Sequence, residues 1–339
     1  MEIEEQKKSN QTLLKCEHVI GQYKGLFGVI QPVNDVSLTV NSGEIIGIVG
    51  ESGCGKSTFG ELITGSPRDI LYFISGSIKI LDYDVYRTDP EIIRTEVKAK
   101  IMSYVPQSSL ESLNPVKRIR DFIFDVIKQR TGQVGDKDKV LDMARNHFKR
   151  LGLDESIIDR FPHELSGGMR QRAVVAISTL FNPKLLIVDE PTSALDVTSQ
   201  KILIQMLFEM YESQIIESIL FISHDIATLR QLCTRTVVMY AGEIVEEGSM
   251  DDIVNSPNHP YTQALISSFV AFHRDLKRKK LHSISGAPPD LTNPPEGCRF
   301  NPRCDKVMDI CKKENPPIFK IDEKKSVKCW LFKEKEMNI

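Results

Sequence analysis

The sequence predicts an α/β fold with buried strands, a helical insertion and a small C-terminal module, and one observation supports each of these. Short apolar, β-branched runs alternate with polar segments of helical periodicity. The stretch from Ile119 to about Leu180 is mostly helical in pattern and predicts a helical insertion. Ser285–Gly297 is proline-rich and cannot form a regular element, so a small C-terminal module is expected beyond the main domain.

Six runs have the composition of strands. They are VSLTV (Val36–Val40), IIGIV (Ile45–Val49), IMSYV (Ile101–Val105), LLIVD (Leu185–Asp189), ILFIS (Ile219–Ser223) and TVVMY (Thr236–Tyr240). An edge hairpin is expected at Glu243–Gly248. The chain therefore alternates strands and helices rather than grouping them.

Composition limits the class of protein. The 339 residues suggest about two domains at roughly 150 residues each. With 46 acidic and 44 basic residues, the chain is no nucleic-acid-binding polycation. It lacks a run of about 18 apolar residues, and its charged start, MEIEEQKKSN, argues against a secretory signal. A cytosolic protein with reduced thiols is expected.

The stretch GESGCGKS at Gly50–Ser57 follows the strand Ile45–Val49 and fits the phosphate-loop pattern. Glycines let the backbone turn so that its N–H groups converge on phosphate, and a helix is expected to begin near Lys56. Lys56 would reach the β- and γ-phosphates and Ser57 would hold Mg²⁺. The alternative is a glycine-rich turn before a helix. The candidate nucleotide-binding residues here are Gly50, Ser52, Gly53, Cys54, Gly55, Lys56, Ser57 and Thr58.

The run LLIVDEP carries Asp189 to a strand end, where its carboxylate can join the Mg²⁺ shell. Glu190 follows and is positioned to take a proton from water that attacks the γ-phosphate. The alternative is a buried strand that ends in solvated acids.

The stretch LSGGMRQR precedes a helix-like run and places Ser166, Gly167 and Gly168 at a helix N-terminus. This is a second anion site, although one phosphate loop already surrounds a nucleotide's phosphates. Either these residues only cap a helix, or they serve the nucleotide of another subunit.

GESGCGKST, LSGGMRQR, LLIVDEPTSALD and ISHD, in that order, resemble the nucleotide-binding subunit of an ABC transporter. The resemblance implies a P-loop NTPase fold with a helical subdomain at about 108–182 and an antiparallel β subdomain. It implies a nucleotide-binding domain at 11–255 and a C-terminal extension at 256–339. It further implies a head-to-tail dimer, in which each ATP lies between one subunit's phosphate loop and the other's LSGGM segment.

Other site residues are implied by the same resemblance. Gln107 matches the loop glutamine that contacts Mg²⁺, and Asp196 matches the loop that links the two active sites. His224 matches the histidine that hydrogen-bonds the γ-phosphate; a lone histidine after a strand is more often structural. Tyr23 fits the aromatic residue that stacks on adenine, with Phe27 nearby as a second candidate.

QSSLESLNPV (Gln107–Val116), HPYTQAL (His259–Leu265) and GCRFNPRC resemble segments of dipeptide/oligopeptide or nickel import ATPases, and SGGM resembles the D-type subunit. The implied activity is ATP hydrolysis coupled to transport, at the cytoplasmic face of the membrane. The implied partners are a second, homologous ATPase subunit in a heterodimer, two transmembrane permease subunits and, indirectly, a substrate-binding protein. No nucleic-acid partner is expected. Alternatives are an oligosaccharide or nickel importer, a soluble ABC ATPase without a transport role, and a non-catalytic metal-binding subunit.

Four cysteines occur in the spacing C-x5-C-x6-C-x17-C, at Cys298, Cys304, Cys311 and Cys329. Four thiolates suit either zinc or an iron–sulfur cluster, but the C-x2-C pair of most structural zinc sites is missing. The family resemblance implies a [4Fe-4S] cluster; zinc and free thiols remain alternatives. Cys16, Cys54 and Cys233 lack such spacing and are expected to be packing residues.

Overall fold

The computed structural model describes residues 11–25, 28–68, 70–98, 100–107, 109, 113–273 and 284–333. It divides into two compact units. The first unit is drawn from Met1–Lys15, Thr39–Glu44 and Ile78–Phe221, and the second from Cys16–Leu38, Ile45–Ser77 and Ile222–Ile339. The predicted domain boundary near residue 255 stays a prediction.

Most of the strands are short, and the long ones are the first, the second and the fourth. They are β1 (Thr12–Gly25), β2 (Gly28–Asn41), β3 (Ile45–Val49), β4 (Leu71–Ile80), β5 (Tyr83–Asp84), β6 (Met102–Val105), β7 (Leu185–Asp189), β8 (Ser218–Ser223), β9 (Arg235–Tyr240), β10 (Glu243–Ser249), β11 (Phe319–Lys320) and β12 (Ser326–Val327). All six predicted strands are confirmed. Five agree with the observed ends to within one residue, whereas the predicted strand Val36–Val40 is only the last part of β2, which begins at Gly28.

The helices begin after strands or cluster in the middle of the chain. They are α1 (Lys56–Ile63), α2 (Pro90–Ile92), α3 (Ile119–Thr131), α4 (Lys137–Arg150), α5 (Gly167–Ser178), α6 (Val197–Glu212), α7 (Ile226–Arg230), α8 (Met250–Asn255) and α9 (Pro260–His273). Helix α2 continues into a wider π-helical turn, Ile93–Val97.

Parallel pairs of strands form the core of each unit. In the second unit, β3 pairs in parallel with β9, and Val49 lies opposite Val238. In the first unit, β6 pairs in parallel with β7, and Val105 lies opposite Val188. Every residue of β3 and β7 is buried, as expected for parallel strands covered on both faces.

The predicted hairpin at Glu243–Gly248 exists, because β10 runs antiparallel to β9. The prediction that it is an edge hairpin is wrong. Strand β12 pairs antiparallel with the other side of β10, and β11 pairs with β12. The C-terminal residues therefore extend the sheet of the second unit in the order β11-β12-β10-β9-β3.

The predicted helical region is confirmed in the first unit. Helices α3, α4 and α5 lie there, with 3₁₀ turns at Glu155–Asp159 and Pro162–Glu164. Asp136 accepts hydrogen bonds from the N–H groups of Asp138 and Lys139 and so caps α4.

Strands β4 and β5 pair antiparallel, as the predicted antiparallel subdomain requires.

The C-terminal segment packs through a few apolar side chains rather than through long elements. Phe319, Val327, Cys329 and Phe332 form one buried cluster. Phe300 packs edge-on against Tyr240 and Tyr261, with ring centroids 5.1 and 5.5 Å away. Aromatic pairs of this geometry stabilise a fold beyond the area they bury.

None of the helices in the described part of the chain combines the length and the apolarity that crossing a bilayer requires.

Candidate active site

The phosphate loop lies between β3 and α1 in the second unit. Helix α1 begins at Lys56, and Gly55 occupies its N-cap position with φ 104°. The predicted start of the helix is therefore confirmed. Unpaired N–H groups at this end and the positive end of the helix dipole favour a bound anion.

Two glycines of the loop have no room for a side chain. A Cβ on Gly50 would lie 2.2 Å from the carbonyl oxygen of Met239. A Cβ on Gly55 would lie 1.8 Å from the carbonyl oxygen of Pro32, and its φ is in the left-handed region. The loop is thus compact because neighbouring backbone occupies the space of both side chains.

Lys56 is 5% exposed and turns back over the loop. Its Nζ donates hydrogen bonds to the carbonyl oxygens of Gly50 (2.8 Å) and Glu51 (3.0 Å). The Sγ of Cys54 lies 3.8 Å from the same Nζ, and Cys54 is buried, as expected of a packing residue. The ammonium group is therefore held in the loop, where phosphate oxygens are stronger acceptors than carbonyls.

Tyr23 is half-buried, and its hydroxyl lies 3.2 Å from the hydroxyl of Thr58 on α1. This contact holds the tyrosine beside the helix of the phosphate loop. Phe27, the second candidate for adenine stacking, lies outside the described residues. Stacking of Tyr23 on adenine stays a prediction.

Asp189 ends strand β7 in the first unit, and Glu190 follows it directly. Asp189 is 1% exposed, and the hydroxyl of Tyr104 donates to its Oδ2 at 3.1 Å. Glu190 is 7% exposed and has φ 49°, in the left-handed region that residues with a side chain rarely adopt. Ser193 donates to the carbonyl oxygen of Glu190 at 3.0 Å and supports this turn. Backbone strain of this kind is concentrated at functional sites.

Gln107 and His224 both come shortly after strands, and both are exposed. Gln107 follows β6 in the first unit, and His224 follows β8 at the start of the second unit's third segment. Asp225 caps α7 by accepting from the N–H of Ala227 at 2.9 Å. The chain at His224 is thus fixed by its neighbour while the imidazole faces outward.

The LSGG segment begins α5 in the first unit. Ser166 is the N-cap, and its hydroxyl accepts from the N–H of Met169 at 3.2 Å. A Cβ on Gly168 would lie 2.6 Å from the hydroxyl of Ser199, whereas a Cβ on Gly167 would meet nothing within 4 Å. Packing within this unit explains the second glycine but not the first.

Asp196 caps α6 and accepts from the hydroxyl of Ser199 at 2.7 Å. This hydrogen bond holds the pKa of the Asp196 carboxyl below its usual value. Ser199 is the residue that contacts Gly168, so the structure brings Asp196 and the LSGG segment together. This contact was not predictable from the sequence, because no local pattern reports which residue of α6 faces α5.

Comparisons with known proteins match this chain to two family models. A family model described as ABC transporter matches residues 33–193, and one described as the C-terminal region of oligopeptide/dipeptide transporters matches residues 245–311. The dipeptide transport ATP-binding protein DppD of Caldanaerobacter subterraneus is 35% identical to this chain, over 95% of the chain and 98% of DppD. The chain belongs to the ABC transporter family. It is one of the family's ATP-binding ATPase subunits.

A further relative and a solved structure also match this chain. The oligopeptide transport ATP-binding protein OppD of Bacillus subtilis is 35% identical over 94% of this chain and 89% of OppD. Among solved structures, the dimeric ATP-binding cassette MJ0796, bound to ADP and Pi, matches with a TM-score of 0.60 and 24% identity. That match covers 70% of this chain and 98% of the cassette, and it shows the fold alone.

The four C-terminal cysteines of this ATPase subunit line one small cavity. None of the four forms a disulfide. Burial and the neighbouring thiols raise the pKa of Cys298 to about 12 and that of Cys329 to about 11. Among the described residues, no group of three or more His, Cys, Asp or Glu side chains could hold a metal ion. The metal centre stays a prediction.

His259 lines the same cavity and was not singled out from the sequence as a site residue. Its Nδ1 accepts a hydrogen bond from the N–H of Tyr261 at 3.0 Å, so Nε2 carries the proton of the neutral ring. Burial lowers the pKa of His259 to about 3. Within the described structure, the buried Nε2 has no hydrogen-bond partner.

The remaining cysteines behave as predicted. Cys16 and Cys233 are 1% and 6% exposed, and burial raises the pKa of both thiols. They are packing residues of the second unit.

Proposed function

We propose that this chain hydrolyses ATP to power the import of dipeptides or oligopeptides through a membrane ABC transporter. The observation that carries the proposal is similarity to peptide-transport ATP-binding subunits along almost the whole chain, including the C-terminal region at 245–311. The phosphate loop alone would fit many nucleotide-binding proteins. We assign the nucleotide-binding domain to residues 11–255 and the extension to 256–339.

The phosphate loop is the proposed ATP-binding element. Its backbone N–H groups would surround the phosphates, and Lys56 would exchange its two carbonyl acceptors for phosphate oxygens. Tyr23 would stack on adenine. Ser57, Gln107 and Asp189 supply the oxygen atoms that Mg²⁺ prefers, and Mg²⁺ when bound neutralises charge on the transferred phosphoryl group.

Glu190 is the proposed general base. Its carboxylate follows the proposed Mg²⁺ ligand Asp189 in the sequence and is not itself assigned to the metal, so it can accept a proton from water. The left-handed backbone at Glu190 directs the carboxylate differently from a residue in a continued strand. His224 would donate a hydrogen bond to the γ-phosphate from its exposed position after β8. Asp196 would contribute to the loop between the two catalytic sites.

A second, homologous ATPase subunit would complete the site with its LSGG segment. The open space around Gly167 and the exposed hydroxyl of Ser166 support an approach from outside the chain. Moving a two-state equilibrium from 1:99 to 99:1 takes about 5.5 kcal/mol of differential binding, which a nucleotide contacted on two faces can provide. Closure would pull on two permease subunits, with this chain peripheral at the cytoplasmic face and a binding protein delivering the cargo.

The test of this function is reconstitution with the membrane partners. The tagged chain is expected to co-purify with two polytopic membrane proteins and a second ATPase subunit. In proteoliposomes that contain the binding protein, peptides are expected to stimulate ATP hydrolysis, whereas nickel and oligosaccharides are not. Stimulation by nickel or by an oligosaccharide alone would replace the peptide assignment, and purification without any membrane protein would contradict the transport function.

We further propose that Cys298, Cys304, Cys311 and Cys329 hold a structural [4Fe-4S] cluster. The four thiols line one cavity without converging on a single point. Tetrahedral zinc with Zn–S of about 2.3 Å requires sulfurs about 3.8 Å apart, whereas in a cluster each thiolate binds a different iron. The buried Nε2–H of His259 has no hydrogen-bond partner among the described residues, which also supports a bound group in this cavity that can accept a hydrogen bond. A cluster of this kind supplies cross-linking between its cysteines.

Anaerobically purified protein is expected to be brown and to contain about four irons per chain. The Cys298→Ser variant is expected to lose most of the iron, and the Cys233→Ser variant, a buried cysteine away from the cavity, to keep it. Zinc in place of iron would favour the zinc alternative, and a colourless preparation free of both metals would refute the metal centre.

A further inference from the structure

An ion pair connects the C-terminal segment to the phosphate loop. Arg303 donates through Nη1 to Oε2 of Glu51 (2.7 Å) and through Nη2 to Oε1 (3.0 Å). The side chains are only 5% and 23% exposed. This is the two-pronged arginine–carboxylate arrangement, in which two parallel charge-assisted hydrogen bonds add both strength and geometric specificity.

Arg303 is itself held on its other sides. Its Nε donates to the carbonyl oxygen of Ser285 at 2.8 Å, and Nη1 also donates to the hydroxyl of Tyr240 at 3.2 Å. The guanidinium lies 5.7 Å from the centre of the Tyr240 ring. The arginine is therefore a rigid support rather than a flexible surface side chain. The hydrogen bonds that Arg303 donates to Glu51 raise the pKa of the guanidinium further, so it is always charged.

Three groups of Glu51, namely its carboxylate, its backbone N–H and its carbonyl oxygen, each form a hydrogen bond with another residue. Its carboxylate binds Arg303, its N–H donates to the hydroxyl of Tyr261 at 2.9 Å, and its carbonyl oxygen accepts from Lys56 at 3.0 Å. Two of these three partners lie after residue 256, in the HPY and NPRC stretches. Pro288 and Pro289 also line a small cavity, and residues of the phosphate loop line the same cavity.

We propose that Arg303 is a positioning residue for ATP binding, acting through Glu51 on the phosphate loop. The inference rests on the proposed ATP-binding role of that loop. Arg303 keeps the start of the loop in place through the Glu51 side chain, and its charge compensates a carboxylate that otherwise repels a bound triphosphate. The C-terminal extension thus contributes to nucleotide affinity as well as to the fold.

The test is titration of the full-length chain with a fluorescent, non-hydrolysable ATP analogue and Mg²⁺. Arg303→Met is expected to weaken binding about tenfold, because it leaves one carboxylate uncompensated. The double variant Glu51→Gln/Arg303→Met removes that carboxylate and is expected to recover most of the affinity. The defect of Arg303→Met is also expected to shrink at high salt, because screening weakens the repulsion. A loss that came only from the missing packing of the arginine side chain would respond to neither change.

Two controls separate the possible causes. Arg235→Met breaks a comparable part-buried pair, in which Nε donates to Glu247 at 2.8 Å, and is expected to leave nucleotide affinity unchanged. Lys56→Ala is expected to abolish binding. If the native chain binds no nucleotide, the proposed ATP-binding role fails, whatever Arg303 does.

Native-like affinity of Arg303→Met, or a double variant as weak as Arg303→Met alone, would overturn the inference. Thermal unfolding of each nucleotide-free variant checks the fold. If Arg303→Met does not fold, Arg303→Lys replaces it, since lysine keeps the charge but not the two-pronged geometry. If Arg303→Lys binds nucleotide about threefold more weakly than the native chain, the inference is supported. If its affinity equals that of the native chain, the inference is contradicted.

Discussion

The Glu190→Gln variant is expected to bind ATP as the native chain does and to hydrolyse it at least about a hundredfold more slowly. Glutamine preserves the size and the hydrogen-bonding capacity of the side chain but cannot accept a proton from water. Because Glu190 is 7% exposed in a left-handed turn, a substitution of similar volume is needed to leave that turn intact. Single-turnover hydrolysis and nucleotide binding, measured on the same preparations, check the two parts of the prediction.

The same variant is expected to accumulate as an ATP-bound dimer with its partner subunit, visible by size-exclusion chromatography. Adding Gly167→Asp to the same chain places a negative charge where a phosphate of the partner subunit's ATP would bind, and is expected to weaken the trapped dimer. Glu209→Gln, on the exposed face of α6, is the matched control for loss of a carboxylate. Undiminished turnover in Glu190→Gln would refute its role as the base.

The Gly55→Ala variant is expected to lose ATP binding and to be destabilised by about 2–5 kcal/mol. The added methyl group would lie 1.8 Å from the carbonyl oxygen of Pro32, and φ 104° is strained for any residue with a side chain. The loop must therefore move away from β2, which displaces the N–H groups that surround the phosphates. Chemical denaturation of the nucleotide-free chain measures the loss of stability, and a nucleotide titration measures the loss of binding.

Gly53→Ala is the matched control. Gly53 also has a positive φ, 80°, but a Cβ there meets nothing within 4 Å. It should cost only about 1–2 kcal/mol, from backbone strain alone. Equal stability losses in the two variants would show that the contact with Pro32 is unimportant.

The strands and motifs of this chain were predictable because they are local. A buried strand such as Ile45–Val49 shows itself as a continuous apolar run, and the phosphate loop shows itself as glycines at set spacings before a helix. The edge assignment of Glu243–Gly248 failed for the opposite reason. Its second neighbour, Ser326–Val327, is only two residues long and almost 80 residues away, too short to have a pattern.

The catalytic motifs, their order and the family were determined by the sequence itself, because each depends on residue types at short, fixed spacings. Only the tertiary structure decided that Arg303 binds Glu51 across about 250 positions, that Tyr261 receives the N–H of the same residue, and that His259 faces four thiols. These contacts join side chains far apart in sequence, and their geometry arises from how the C-terminal segment packs on Tyr240 and strand β10. No periodicity or spacing reports such packing, since it is set by the shape of the surface on which the segment folds.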